Sequence, residues 1–283
     1  MQALPGAAFF LFLEAAVGGT IALLWVHLRG EVSRGFVLFT GACVWLCGAL
    51  ALWLRLAFPP LAVPGFGRAF FWFSAERALL VAFLVLLAAY LAGLARSPAR
   101  PASPRTNGAV RVARSGGLLG LLAPVVPLLA LGGLWSAAEV EPGAQLAGLG
   151  TPLAVLAGAL ALGTALTGLS LGHWYLVTPS LSVRPLVQLS LACLAALLVQ
   201  AALLPVLLLV GPASALFTTY ALFLGVRVLF GLLVPLIATL MTWRTARIRS
   251  LDSATGLLYV VTALIIAGEI TARSLFLLTG VST

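Results

Sequence analysis

Apolar residues run through this chain in eight long stretches: Gly6 to Leu28, Gly35 to Ala57, Glu76 to Ala95, Gly117 to Ala138, Thr151 to Gly172, Leu186 to Val210, Ala215 to Met241 and Ala254 to Leu278. Crossing a bilayer takes about 20 predominantly apolar residues in a helix. Each stretch is long enough. The pattern predicts an all-α, polytopic membrane bundle of eight transmembrane helices, with residues 1–283 forming a single integral membrane domain. The connections are too short to fold a soluble domain, so any soluble chemistry would come from partner chains.

Composition agrees with the pattern. The chain is 62% hydrophobic and 8% charged, whereas soluble domains carry about 25% charged residues. The first stretch has no basic flank before it, holds Glu14, and exceeds the apolar core of a signal peptide, so it is kept as a spanning helix.

Net charge is +9, from sixteen Arg and no Lys. In a soluble protein that excess suggests nucleic acid, but here the arginines cluster between apolar stretches, where they set orientation. Arg29 and Arg34, then Arg96, Arg100, Arg105, Arg111 and Arg114, then Arg184, then Arg244, Arg247 and Arg249 all fall in odd-numbered connections, eleven of the sixteen. Arg55, Arg68 and Arg77 lie on the other side, beside Glu76, Glu139 and Glu141. The positive-inside rule then puts both termini outside the cytoplasm. An Arg-only, Ala/Leu/Gly-rich composition suggests a GC-rich bacterial genome, hence a multi-pass protein of the bacterial inner membrane in contact with lipid.

Two connections stand apart. Residues 96–116 mix arginines with Pro98, Pro101, Pro104, Asn107 and Gly108, the composition of a solvated, basic cytoplasmic loop dividing three helices from five. Phe58 to Ala75 holds Phe66, Phe70, Phe71, Trp72 and Phe73, an aromatic belt or a partner-binding surface.

Charges inside the stretches carry the functional expectations. An ionisable group at mid-membrane costs about 2.5 to 3.5 kcal/mol on insertion scales, so one that is kept is paired and faces the bundle interior. Glu269 and Arg273 are four residues apart and share a helix face. At about 1.5 Å per residue, Glu14 and Glu269 lie within roughly 5 Å of mid-bilayer, level with Arg227, with Arg273 one turn further out. The four neutralise one another only if the first, seventh and eighth helices are neighbours with these faces turned inward. Glu76, at the outer end of the third helix, is placed to reach interfacial water and to link the buried acids to it. Tyr220, two turns above Arg227, offers a hydroxyl nearby.

His27 and His173 end the first and fifth stretches at similar depth, where two imidazoles can hold a haem or a quinone head group. Their edge position beside Trp25, Trp174 and Tyr175 argues instead for interfacial packing and against haem. Cys43, Cys47 and Cys193 are too few and too helical for an iron–sulfur cluster. No phosphate-binding loop, dinucleotide fingerprint or zinc motif occurs in a suitable context, which argues against self-contained catalysis. Gly18, Gly19, Gly158, Gly163, Gly225, Gly231 and Gly268 permit close helix approach. Pro124, Pro127, Pro205 and Pro235 predict kinks.

Eight spans, both termini outside, outer-half acids with arginines, and the closing stretch SATGLLYVVTALIIAGEITARSLFLLTG, with Gly268, Glu269 and Arg273, together resemble the membrane anchor subunits of molybdenum-dependent respiratory reductases. These are the dimethyl-sulfoxide-reductase, NrfD and polysulfide-reductase-type anchors. The resemblance implies a subunit that binds a quinone, menaquinone or ubiquinone, near the outer face and exchanges electrons with an iron–sulfur partner beside a molybdenum-type catalytic subunit. On that reading the pocket lies among the first, third, seventh and eighth helices. Glu269 takes the quinol proton, Arg227, Arg273 and Tyr220 hold the quinone, and Glu14 and Glu76 carry protons outward. Two other readings compete: a proton- or cation-coupled transporter of a small anionic solute, and a structural assembly subunit without ligand.

Overall fold

A computed structural model describes residues 3–59, 68–96, 118–140, 149–178, 181–210 and 213–283. Within them the chain forms α1 (Ala3–Arg29), α2 (Arg34–Ala57), α3 (Arg68–Arg96), α4 (Leu118–Val140), α5 (Gly150–Val177), α6 (Arg184–Val210), α7 (Ala221–Arg247) and α8 (Leu251–Thr279). A single helical turn, Ser214–Phe217, precedes α7, and the described residues contain no strand. Seven of these helices, all but α4, are long and apolar enough to cross a membrane. In α4 the described apolar part is Val125–Glu139. The predicted loop beyond Arg96 and the stretch 60–67, with Phe66, lie outside the described residues.

Local chemistry sets the helix ends. Gly30, at φ 72°, takes the left-handed conformation that stops α1, and Gly280, at φ 75°, does the same after α8. Ser33 caps α2 by accepting a hydrogen bond from Phe36 N at 3.2 Å. Arg249, at φ 61°, sits in the tight turn between α7 and α8, a backbone position that favours glycine.

α1 is the central helix and packs on α2, α4, α5 and α8. Its tightest crossing is with α5. A Cβ at Gly18 would fall 1.7 Å from the Ala159 carbonyl oxygen, and one at Gly163 would fall 2.0 Å from Gly18 C. Lipid tails are as apolar as leucine, so membrane helices associate through close packing of small residues, and here the two backbones touch. α3 and α4 make the most extensive pairwise packing in the bundle. The segment between them therefore does not divide three helices from five, because burying α3 against α4 outweighs any separation that a basic linker would favour.

α7 is irregular at both ends of its N-terminal half. Thr218–Tyr220 form a turn and interrupt the single helix expected over 215–241. Further along, Leu229–Leu233 widen into a π-turn, with Val234 N–H bonding to Leu229 O. Pro235 follows directly. It has no N–H for Gly231 O, and its ring would press on that carbonyl, so the wider turn accommodates it. The π-turn brings Gly231 against Gly268 of α8, where an added Cβ at Gly268 would lie 2.4 Å from Gly231 Cα.

Candidate functional site

Four buried charges meet where α1, α5, α6, α7 and α8 converge. Arg273 Nε stands 2.7 Å from Glu14 Oε1, and Arg273 Nη2 stands 3.1 Å from Glu269 Oε2. Arg227 Nη1 donates to the other Glu269 oxygen at 3.3 Å. Arg227 Nη2 donates to Gln200 Oε1 at 2.5 Å. The order is Glu14, Arg273, Glu269, Arg227, Gln200, with signs alternating and formal charges summing to zero. None of the four charged side chains is more than 2% exposed, so attraction between them is little screened and must offset the loss of water from each.

Each position follows from its helix. Glu269 and Arg273 are one turn apart on α8. Gly158 of α5 makes room for both: a Cβ there would lie 2.7 Å from Glu269 Oε2 and 2.9 Å from Arg273 Nη2. Arg273 also points Nη2 at the Ala154 carbonyl, 3.4 Å away, and Nη1 at Ser282 Oγ, 3.5 Å away. Val281, Ser282 and Thr283 are buried, folded back against α8 with Thr283 Oγ1 donating to Ala272 O at 3.5 Å.

Several polar atoms at the site lack a partner with normal hydrogen-bond geometry: Glu14 Oε1 and Oε2, Arg273 Nε, Arg227 Nε and Gln200 Nε2. The short Arg273–Glu14 contact is thus ionic but misaligned as a hydrogen bond. Buried polar atoms are nearly always satisfied, and exceptions call for a role.

The structure brings Glu14, Arg227, Glu269 and Arg273 together, as the matching depths predicted. It adds Gln200 and Gly158. Gln200 is one of two amides in a Leu-rich helix, with Gln188 near its start, and that polarity was its only signal in the sequence. Glu76 is placed differently. It is fully buried, with Oε1 2.7 Å from Arg55 Nε and Oε2 2.9 Å from Arg55 Nη2. The Arg55 guanidinium also lies over the Phe9 ring at 3.8 Å. A charge that finds a bidentate partner has no need to snorkel, so Glu76 is turned to Arg55 rather than to interfacial water. Nor does α3 pack on α7 or α8 among the described residues, which removes it from the expected pocket.

Tyr220 also departs from expectation. It precedes α7, in the turn that breaks the helix, and packs with Leu216, Leu224, Leu275 and Val281 rather than bonding to the cluster. His27 meets Tyr90 edge-on at 6.2 Å, and His173 is exposed. Gly225 faces open space and serves no close approach. No group of three or more His, Cys, Asp or Glu side chains able to hold a metal ion occurs among the described residues. Comparison with known protein families and with curated proteins finds no match to this chain.

Proposed function

We propose that this chain is a quinone-linked membrane subunit of a respiratory oxidoreductase, in which the buried tetrad handles the protons of quinol chemistry. The observation that supports this is the pairing of two carboxylates with two guanidiniums deep in the bundle. Quinol oxidation releases two protons with its two electrons, and general bases at the hydroxyls accelerate it. Glu269 accepts one proton and Glu14 is the second acceptor, while Arg227 and Arg273 hold the anionic forms. The electrons pass to an iron–sulfur partner of a molybdenum-type reductase, since the chain itself supplies position and proton handling rather than a redox centre. Leu229, Phe230 and Leu233 of the π-turn face outward, the side from which a membrane-soluble quinone, menaquinone or ubiquinone, would arrive.

In this proposal the chain spans a bacterial inner membrane eight times, α4 included, with both termini outside the cytoplasm. The dense α3–α4 packing and the arginines of alternate connections support that arrangement.

Glu269→Gln in the purified complex tests the reading. Expected are a retained fold, co-purifying iron–sulfur subunits, and quinol-linked electron transfer slowed by about 10²- to 10⁴-fold, the cost of a lost general base. Unchanged quinol turnover would overturn it. A proton- or cation-coupled transporter of a small anion is the second reading, supported by the broken, π-turned α7 beside Arg227. Solute flux by the isolated chain in proteoliposomes would favour it.

A further inference from the structure

Threonine in an apolar helix ordinarily satisfies its hydroxyl on the carbonyl one turn back. Thr20, Thr164, Thr242, Thr245, Thr271 and Thr279 do this here. Thr40, Thr151, Thr167 and Thr239 do not, and nor do Thr262 and Thr255 of α8. Both are at least 96% buried, and neither hydroxyl has a partner. They precede Glu269 at intervals of seven residues, so all three lie on one face of α8, about 10 Å apart along the axis.

That face is turned toward α5. The two helices run antiparallel, with Gly158 against Glu269, Gly168 against Leu258, and Gly172 against Thr255, where an added Cβ would lie 2.7 Å from Thr255 Oγ1. A second polar line starts at the other end of the tetrad. Gln200 bonds Arg227, and seven residues back along α6 is Cys193, whose thiol donates to the Ala161 carbonyl at 3.6 Å. Both lines lead from the tetrad toward the end of the bundle that carries Arg244, Arg247 and Arg249.

In the opposite direction the polar side chains are Ser282, 3.5 Å from Arg273 Nη1, and the buried Thr283 and Thr151, and the rest is apolar. One turn outside Glu14 stands Phe10, edge-to-face with Phe276 at 6.3 Å, and Leu13, Leu275 and Val281 are buried around them.

We propose that the tetrad exchanges protons with the Arg244/Arg247/Arg249 end through a hydrated column lined by Thr262, Thr255 and Gln200, with the aromatic side closed. The inference rests on reading the two acids as proton-exchanging groups, and it gives that exchange a direction. Each gap between hydroxyls is the length of about three hydrogen-bonded waters, and unpartnered buried hydroxyls are the groups that hold such waters. The groups facing the two carboxylates are Arg273 on α8 and Arg227 on α7, with the neutral Gln200 on α6; α5 presents Gly158.

A test needs no quinone. Protein inserted in one orientation in liposomes is given a pH jump from one side, and carboxylate protonation is followed by time-resolved infrared absorption. Glu14→Gln and Glu269→Gln assign the bands. Protonation is expected only from the Arg244/Arg247/Arg249 side. Thr262→Val and Thr255→Val should slow it by about 10²-fold, the low end of the cost of a missing proton-transfer group. Thr262→Ser should restore the rate and lipid-side Thr271→Val leave it unchanged. Equal rates from both sides, or wild-type rates in both valine variants, would overturn the column. If the column holds while quinol turnover ignores Glu269, the failure lies with the quinone reading alone.

Discussion

Arg273 has two carboxylate partners and Arg227 has one. That asymmetry decides how the tetrad responds to mutation. Were Glu269 only an ionic partner, Glu269→Gln would strand Arg227 and lower stability by about 3 to 5 kcal/mol, as when one member of a buried pair is removed, in place of the retained fold expected of a proton acceptor. Adding Arg227→Met should recover most of the loss, because Glu14 and Arg273 remain a neutral pair; thermal unfolding in detergent measures both. A double variant no more stable than the single one would show that the pairing is misassigned. Gly158→Ala is a subtler probe. Its methyl would meet only the ends of flexible side chains, so it should displace the ion pair and change turnover while shifting stability by less than about 1 kcal/mol. At this scale depth along each helix was legible, since 1.5 Å per residue is about the same in every span, and it placed Glu14, Arg227, Glu269 and Arg273 at one level. Rotation was not. Glu76 could be given a depth from the sequence, but only packing decides that it turns to Arg55.

Helix boundaries were legible for the same reason that membrane segments are: an apolar run can only satisfy its backbone by coiling. The run at 186–210 became α6 over Arg184–Val210, and the run at 254–278 became α8 over Leu251–Thr279. The third run was read too short, because the aromatic residues up to Ala75 look like an interfacial connection, whereas the helix already starts at Arg68. The break at Thr218–Tyr220 left no mark in an apolar stretch. Pro235 did announce a distortion, though not that a π-turn would absorb it. Among the small residues the sequence cannot separate Gly18 from Gly225, yet the structure does. Gly18→Ala or Gly163→Ala should force α1 from α5, since the added carbon meets backbone, and cost about 1 to 3 kcal/mol or more. Gly225→Ala should be neutral or slightly stabilising, as alanine is the better helix former by about 1 kcal/mol. Thermal denaturation of the three variants would rank them, and equal losses would refute the crossing.

For the whole molecule, the asymmetric distribution of arginine argues that Ile248, 77% exposed at the turn before α8, and Leu149, 66% exposed before α5, lie on opposite sides of the membrane. With the three native cysteines replaced by alanine, Ile248→Cys should react with a membrane-impermeant thiol reagent only from the cytoplasm and Leu149→Cys only from outside. Reaction of both from one side would mean that the chain between them crosses the membrane an even number of times rather than the three times of α5, α6 and α7.

The contact between Glu14 and Arg273 also has a history. Glu14 on α1 leaves the ribosome well before Arg273 on α8, and at about 5 to 20 residues per second the partner follows on the order of tens of seconds later. Until then α1 must lie in the bilayer with an unmatched acid, at about the 2.5 to 3.5 kcal/mol that insertion scales assign, offset by the leucines and phenylalanines beside it. The helix at the centre of the finished bundle is therefore the one that waits longest for its surroundings. Its glutamate makes the arrival of α8, rather than the insertion of α1 itself, the event that commits the protein to its native form.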